Sequence, residues 1–250
     1  MKFICSACNK EISFGEACSC NKVVSNFLDG IWHIGEDFFM DHDCSIEIEK
    51  KIISKKIDPW EKDSFIQKKF IEKYILPLID KLILSKKNVN SILAAGCGTG
   101  FEVEVLNILG FDAYGYDPGS RHAAWLKRKN CEGRLIHCLD KNLPFAKGTF
   151  DLILSQQVIE HVGVVDDTMI PKKNCDEIRF NFCQNLISYV KPGGSLQIAT
   201  PNRHFLIDPG HSPNFGKFRL HSPFDKFLVS YSDMKRYFYP HKVKPLTPLG

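Results

Sequence analysis

Residues 96–100 read Gly-Cys-Gly-Thr-Gly, directly after the apolar run Ile92-Leu93-Ala94-Ala95 and directly before Phe101. Glycines so spaced let a chain turn tightly and come close to a ligand, and the helix expected to follow offers its unpaired N–H groups. About twenty residues further on, Asp117 ends a second apolar run, at the distance where a carboxylate can accept both hydroxyls of a ribose. A different chemistry is written at the start of the chain. Cys5-x2-Cys8 and Cys18-x-Cys20 form two close thiol pairs, and two such pairs supply the four soft ligands of a tetrahedral zinc. The second pair is one residue shorter than the usual knuckle, so His33, His42 or Cys44 are alternatives to Cys20 as the fourth ligand.

These residues need a frame. Phe111–Asp117, "GRLIHCLD" and Phe150–Ser155 read as a second, third and fourth strand. "ISYVKPGGSLQIATPN" ends a helix at Lys191-Pro192-Gly193-Gly194 and launches a fifth. Strands alternating with helices over short connections specify a doubly wound, mostly parallel α/β sheet, with ligands beyond the carboxyl ends of its strands. Ahead of it, Ile66, Phe70, Tyr74, Ile75, Leu78, Ile79, Leu82 and Ile83 share one face of a long amphipathic helix that Pro77 should bend or break. The expected organisation is a small N-terminal zinc ribbon over 1–45, a linker and amphipathic helix over 46–90, and an α/β domain over 91–250.

"GCGTG", "YDPG", "NLPFAKGTFDLILS", "QQVIEHV" and "VKPGGSLQIATPN", taken in order, resemble the sequential motifs of class I S-adenosylmethionine-dependent methyltransferases. The resemblance spans roughly residues 60–240 and implies a seven-stranded-type sheet. It places Gly96, Cys97, Gly98 and Gly100 at the methionine moiety of S-adenosylmethionine, Asp117 at the ribose and Pro118 near the adenine. Leu139 or Asp140 falls beside the adenine amino group and Gln156 near the sulfonium. Ala94 stands where the family usually carries an acid, and Asp140 lies one position later than the acid expected before the Asn-Leu-Pro-Phe turn. The family normally ends in a two-strand hairpin, whereas "YPHKVKPLTPLG" leaves room for one strand at most. The cysteine segment, with "NFLDGIWHI" after it, resembles the small zinc-ribbon activator subunit of tRNA and translation-factor methyltransferases.

Transfer from a sulfonium is an in-line displacement, so the protein must hold the acceptor in line and, for a hydroxyl, take up a proton. His161, just past the fourth strand, resembles the histidine of some sugar and small-molecule O-methyltransferases and is the candidate base; Glu160 reads as a solvated or capping residue. The stretch 200–225, with neither helical nor strand periodicity, leaves the fifth strand where acceptors bind. Connections this long usually bind something, and it is expected to act as a lid. Arg203, His204, Asp208, His211, Arg219 and His221 are its candidate acceptor contacts.

With 250 residues, 44% of them apolar, the chain can bury a sizeable core. No apolar run reaches membrane-spanning length and no signal-peptide pattern opens the chain, so the expected compartment is the cytoplasm. Ten cysteines, four of them crowded into the first twenty residues, suit a metal site in a reducing compartment better than a disulfide framework. The net charge of +4 is too small to argue for nucleic acid. The leading expectation is O-methylation of a sugar or other polar metabolite. An RNA methyltransferase that uses the ribbon, with Trp32 and the lysines near 50–56 as contacts, and a non-catalytic scaffold are the alternatives. Oligomeric state is not legible.

Overall fold

The computed structural model describes residues 1–28, 30–35, 68–84, 88–165, 168–208, 211 and 219–245. Its centre is the strand set expected from the apolar runs: β5 (Ser91–Ala95), β6 (Asp112–Asp117), β7 (Leu135–Cys138), β8 (Phe150–Gln156) and β9 (Val190–Ala199). Short β1 (Phe3–Ile4) pairs with β2 (Glu11–Ile12), and β3 (Ser25–Leu28) with β4 (Ile31–Ile34). Among the described residues seven strands form the main sheet, in the order β3-β4-β7-β6-β5-β8-β9. Every pairing in it is parallel except β3 with β4. The doubly wound fold expected from the alternating pattern is therefore observed.

The sheet reaches seven strands by an unexpected route. Among the described residues, which run to 245 here, no strand follows the C-terminal helix α4 (Tyr231–Tyr237). The count of seven is completed instead at the opposite edge, beyond β7, by β3 and β4 from the cysteine-bearing segment. β4 lies parallel to β7, with Trp32 opposite Ile136 and Ile34 opposite Cys138. Trp32 is 0% exposed and shares one core cluster with Phe3, Leu93, Tyr114, Ile136 and Ile153. Its ring meets Phe3 edge-on at 5.2 Å and Phe14 at the same distance, while its indole N–H donates to Ser25 Oγ at 2.6 Å. Segment 1–35 thus shares a core with the α/β sheet; the expected border at residue 45 lies outside the described residues.

Side-chain alternation along buried parallel strands fills both faces of the sheet. Leu93, Ala95, Tyr114 and Ile153 pack on the face covered by α3 (Cys175–Tyr189), through Phe182, Leu186 and Tyr189. Ile92, Ala94, Ala113, Leu152 and Leu154 pack on the other, against α2 (Phe101–Ile108) and the amphipathic helix. That helix continues through Pro77, with Ile71, Ile75 and Ile79 buried at four-residue spacing. It widens to a π-turn over Ile71–Ile75 and then runs as α1 (Leu76–Leu84). A proline ring clashes with the carbonyl four residues before it, and the wider turn relieves that clash. Ile66 lies outside the described residues. None of the described helices is long and apolar enough to cross a membrane.

Candidate active site

The Gly-rich turn leaves β5 and enters α2 as the motif requires. Gly96 has φ of 74°, and a Cβ there would come within 2.3 Å of Val158 Cγ2, so no side chain fits. That close approach also presses the turn after β8, which carries Glu160 and His161, against the Gly-rich turn. Asp117 spans two backbones: Oδ2 accepts the Gly98 N–H at 2.8 Å and Oδ1 the Gly119 N–H at 2.8 Å. The carbonyls of Gly98 and Thr99 accept from Trp125 Nε1 at 2.7 Å and Arg128 Nε at 2.9 Å. Residues on the segment after β6 therefore hold the turn open, a role nothing in their spacing announces.

The other expected cofactor residues lie at the carboxyl ends of β6, β7 and β8. Pro118 offers its carbonyl to His137 Nε2 at 2.9 Å. His137 in turn meets His33 of β4, Nδ1 to Nδ1, at 2.7 Å, and burial holds its pKa down at about 4. The neutral ring carries its proton on Nε2, so His33 donates. Burial pushes the Cys97 thiol far up, which makes it a packing group and not a nucleophile. Leu139 precedes a short 3-10 turn over Asp140–Asn142, where the Asp140 carboxylate accepts from Asn185 Nδ2 at 2.9 Å and burial raises its pKa. Both side-chain polar atoms of Gln156 are buried without a hydrogen-bond partner. An orphaned amide at the end of β8 fits a ligand group that completes it.

The second constellation lies at the ends of β8 and β9. Loop 200–225 is not wholly irregular: β10 (Ile207–Asp208) pairs with β11 (Arg219–Leu220). This ladder turns Asp208 inward, 0% exposed, where it accepts from His211 Nδ1 at 2.9 Å and from Arg219 Nη2 at 3.2 Å. Arg219 also pairs with Asp225 at 2.9 Å. His211 Nε2 lies 3.0 Å from His161 Nε2, and Phe227 packs edge-on beneath both rings. With its Nδ1–H given to Asp208, His211 has only a lone pair on Nε2, so the proton between the rings sits on His161. Burial lowers the pKa of His211 against the opposing pull of Asp208.

Glu160 corrects the solvated reading. It is 0% exposed because its turn tucks under β9, where Thr200 Oγ1 donates to Oε2 at 2.9 Å. Burial raises its pKa. Its Oε1 has no hydrogen-bond partner and lies 3.9 Å from His211 Nε2. Glu160, His161 and His211 offer three ligand atoms within 4.8 Å of one another, a set that could hold a cation.

Of the six lid candidates, Asp208, His211 and Arg219 come together with the candidate base His161, and Arg203, His204 and His221 do not. Arg203 Nη2 is committed to Asp233 at 2.6 Å, at the capped start of α4. His221 Nε2 bonds the Phe205 carbonyl at 2.8 Å, and His204 is exposed. Among the described residues of the loop, the apolar Phe205, Leu206, Leu220 and Phe224 are all more than half exposed.

The four N-terminal thiols form a third group. Cys5 Sγ is 3.7 Å from Cys20 Sγ and Cys8 Sγ 3.4 Å from Cys18 Sγ, with all four atoms within 4.8 Å of one another. At Zn–S bonds of about 2.3 Å, tetrahedral ligands stand apart by distances of this order. The Lys22 N–H lowers the Cys20 pKa to about 7, which favours the ligating thiolate. His42 and Cys44 lie outside the described residues.

A family model described as a methyltransferase domain matches residues 67–237, well over half of the chain. The chain belongs to the methyltransferase-domain family. The ordered motifs led to the expectation of a methyltransferase, and the match agrees with it at that level. The chain is 32% identical over 116 residues to the ubiquinone biosynthesis O-methyltransferase of Mesorhizobium japonicum, across 45% of its own length and 41% of the relative's. To the human mitochondrial ubiquinone biosynthesis O-methyltransferase it is 29% identical over 123 residues, covering 45% of its own length and 29% of that protein. It therefore spans about two fifths or less of the curated relatives it matches. A crystal structure of an S-adenosylmethionine-dependent methyltransferase from Clostridium acetobutylicum overlaps 60% of each chain at 18% identity, with a TM-score of 0.46.

Proposed function

We propose that the protein transfers a methyl group from S-adenosylmethionine to a hydroxyl oxygen of a small molecule. The observation that carries this is the Asp208–His211–His161 chain, held against the Gly-rich turn through the contact of Val158 with Gly96. As the acceptor oxygen bonds to the methyl carbon, the S–CH3 bond breaks and S-adenosylhomocysteine leaves with the electron pair, while His161 takes the hydroxyl proton at its other ring nitrogen and passes the Nε2 proton to His211. Asp208 stabilises the imidazolium that results. The names of the relatives, both O-methyltransferases, favour oxygen as the atom methylated. Among the described loop residues Asp208, Arg219 and Asp225 pair with one another, and Phe205, Leu206, Leu220 and Phe224 stand exposed, which favours an acceptor that joins its hydroxyl to an apolar part. This shifts the expectation away from a free sugar. RNA is disfavoured because Trp32, the aromatic best suited to stacking on a base, is fully buried; the lysines near 50–56 lie outside the described residues.

A second reading rests on the orphaned Oε1 of Glu160. With His161 and His211 it suits a divalent cation, which on binding would lower the pKa of a hydroxyl coordinated to it. The two readings separate in one assay. Labelled S-adenosylmethionine is incubated with phenolic, glycosidic and aliphatic alcohols, with and without EDTA. O-methyl products that survive EDTA support the histidine relay, and products lost with EDTA and restored by Mg2+ or Mn2+ support the cation. Methyl groups found on nitrogen or carbon alone would overturn both.

The cofactor assignments rest on the brace at Asp117. Asp117→Ala is expected to weaken S-adenosylhomocysteine binding by about 1.5–3 kcal/mol, the scale of a lost charge-assisted hydrogen bond. Unchanged affinity in a folded variant, read by calorimetry, would remove Asp117 from the ribose site. We assign a structural zinc to Cys5, Cys8, Cys18 and Cys20 on their mutual spacing. Elemental analysis of protein purified without chelator should find one zinc per chain, and a metal-free preparation would refute it.

A further inference from the structure

Arg179 lies on α3 with 2% of its surface exposed. Arginine is almost never buried so deeply unless its donors are used. Here four hydrogen bonds go to main-chain carbonyls. Nε reaches Val162 O at 3.0 Å and Nη2 reaches Glu160 O at 2.8 Å. Nη1 reaches Lys226 O at 3.0 Å, and Nη2 also reaches Phe227 O at 2.7 Å. The first two carbonyls flank His161, on the turn after β8. The other two end the long loop, and one of them belongs to the aromatic residue beneath both histidines. A single planar fork thereby fixes the separation of two stretches that come from different parts of the chain.

That separation decides whether His161 and His211 can share a proton. Their Nε2 atoms are 3.0 Å apart, and a displacement of half an ångström would end the bond. The Phe227 ring, 5.5 Å from the centroid of His161 and 4.9 Å from that of His211, sets the tilt of both. Arg219, which closes the Asp208 side, stacks its guanidinium 5.5 Å over the same ring.

We propose that Arg179 is a positioning residue for methyl transfer: its guanidinium clamps the Glu160–His161 turn to the Phe227 segment at the spacing the histidine pair requires. This rests on the relay described under the proposed function. Lysine keeps the charge but has no planar fork with which to reach two pairs of carbonyls, so Arg179→Lys separates geometry from charge. Arg179→Gln keeps a planar two-donor amide without the charge and serves as a second variant should the first prove unstable.

The test combines three measurements on the full chain. Calorimetry with S-adenosylhomocysteine should give a Kd within about twofold of the parent, since the Gly-rich turn makes none of these bonds. Transfer to a hydroxyl acceptor should fall on the order of 100-fold, the usual consequence of misplacing a catalytic group by about 1 Å. Nitrogen-15 spectra of the imidazoles should show coupling across the His161–His211 hydrogen bond in the parent and none in Arg179→Lys, with Arg179→Gln between them. A folded Arg179→Lys variant with parental transfer and an intact coupled pair would overturn the proposal. A parent that shows the coupled pair but methylates no hydroxyl would overturn the relay reading instead, and the spectra would still decide what Arg179 holds.

Discussion

Replacing His211 by alanine is expected to lower methyl transfer by about 100- to 10,000-fold, the range over which positioned acid–base groups act, while S-adenosylhomocysteine binding stays near parental. The split follows from geography. The donor's expected contacts run from the Gly-rich turn to Asp117, whereas His211 belongs to the loop after β9 and touches Asp208 and His161. Loss of the ring removes the acceptor 3.0 Å from His161 Nε2 and one of the donors to the fully buried Asp208. The measurement is kcat and Kd on the same preparation, with a pH profile. A variant with parental kcat would return His211 to a packing role, and one that lost donor binding and turnover together would mean that the loop supports the donor site directly.

Trp32→Ala is expected to destabilise the whole protein by about 3–5 kcal/mol, the range for truncating a large buried aromatic. The mechanism is specific to where this tryptophan sits. Its ring fills space between Phe3 and Phe14 of the cysteine segment and the sheet residues of the shared core. Because one side chain serves both, urea denaturation of the parent should show a single transition, and the variant should lose stability in that transition. Two transitions, with only the minor one shifted, would show the cysteine segment to be a separately folding unit. By the same reasoning, loss of the proposed zinc should weaken the sheet as well as the first 35 residues.

What could be read from the sequence divides along a physical line. Local backbone demands were legible: the three glycines of 96–100, the carboxylate at 117 and the apolar runs of β5 to β9 each announce a conformation within a few residues. Long-range partners were not. Nothing in "NFLDGIWHI" says that Ile31–Ile34 will pair with Leu135–Cys138, because any unpaired parallel edge of suitable apolarity would accept that strand. Glu160 reads as a surface acid because burial of a carboxylate depends on Thr200 and Arg179, both distant in sequence. The loop's charges suggested a polar acceptor, yet Asp208, Arg219 and Asp225 are spent on one another, a pairing that becomes visible only once β10 and β11 align. His161 and His211 were each singled out, but their partnership was not, since fifty residues separate them.

The parallel pairing of β4 with β7 places His33 opposite His137, 104 residues later in the chain. During synthesis the N-terminal segment therefore emerges long before the strand it must join. At typical elongation rates the wait is roughly 5 to 20 s, an interval in which Trp32 and the backbone donors and acceptors of β4 have no partner from the main sheet. For a nascent chain this is a period of exposure to chaperones, and the cysteine cluster, complete within the first twenty residues, is the part of the segment able to take a fixed shape before the ribosome has delivered the rest.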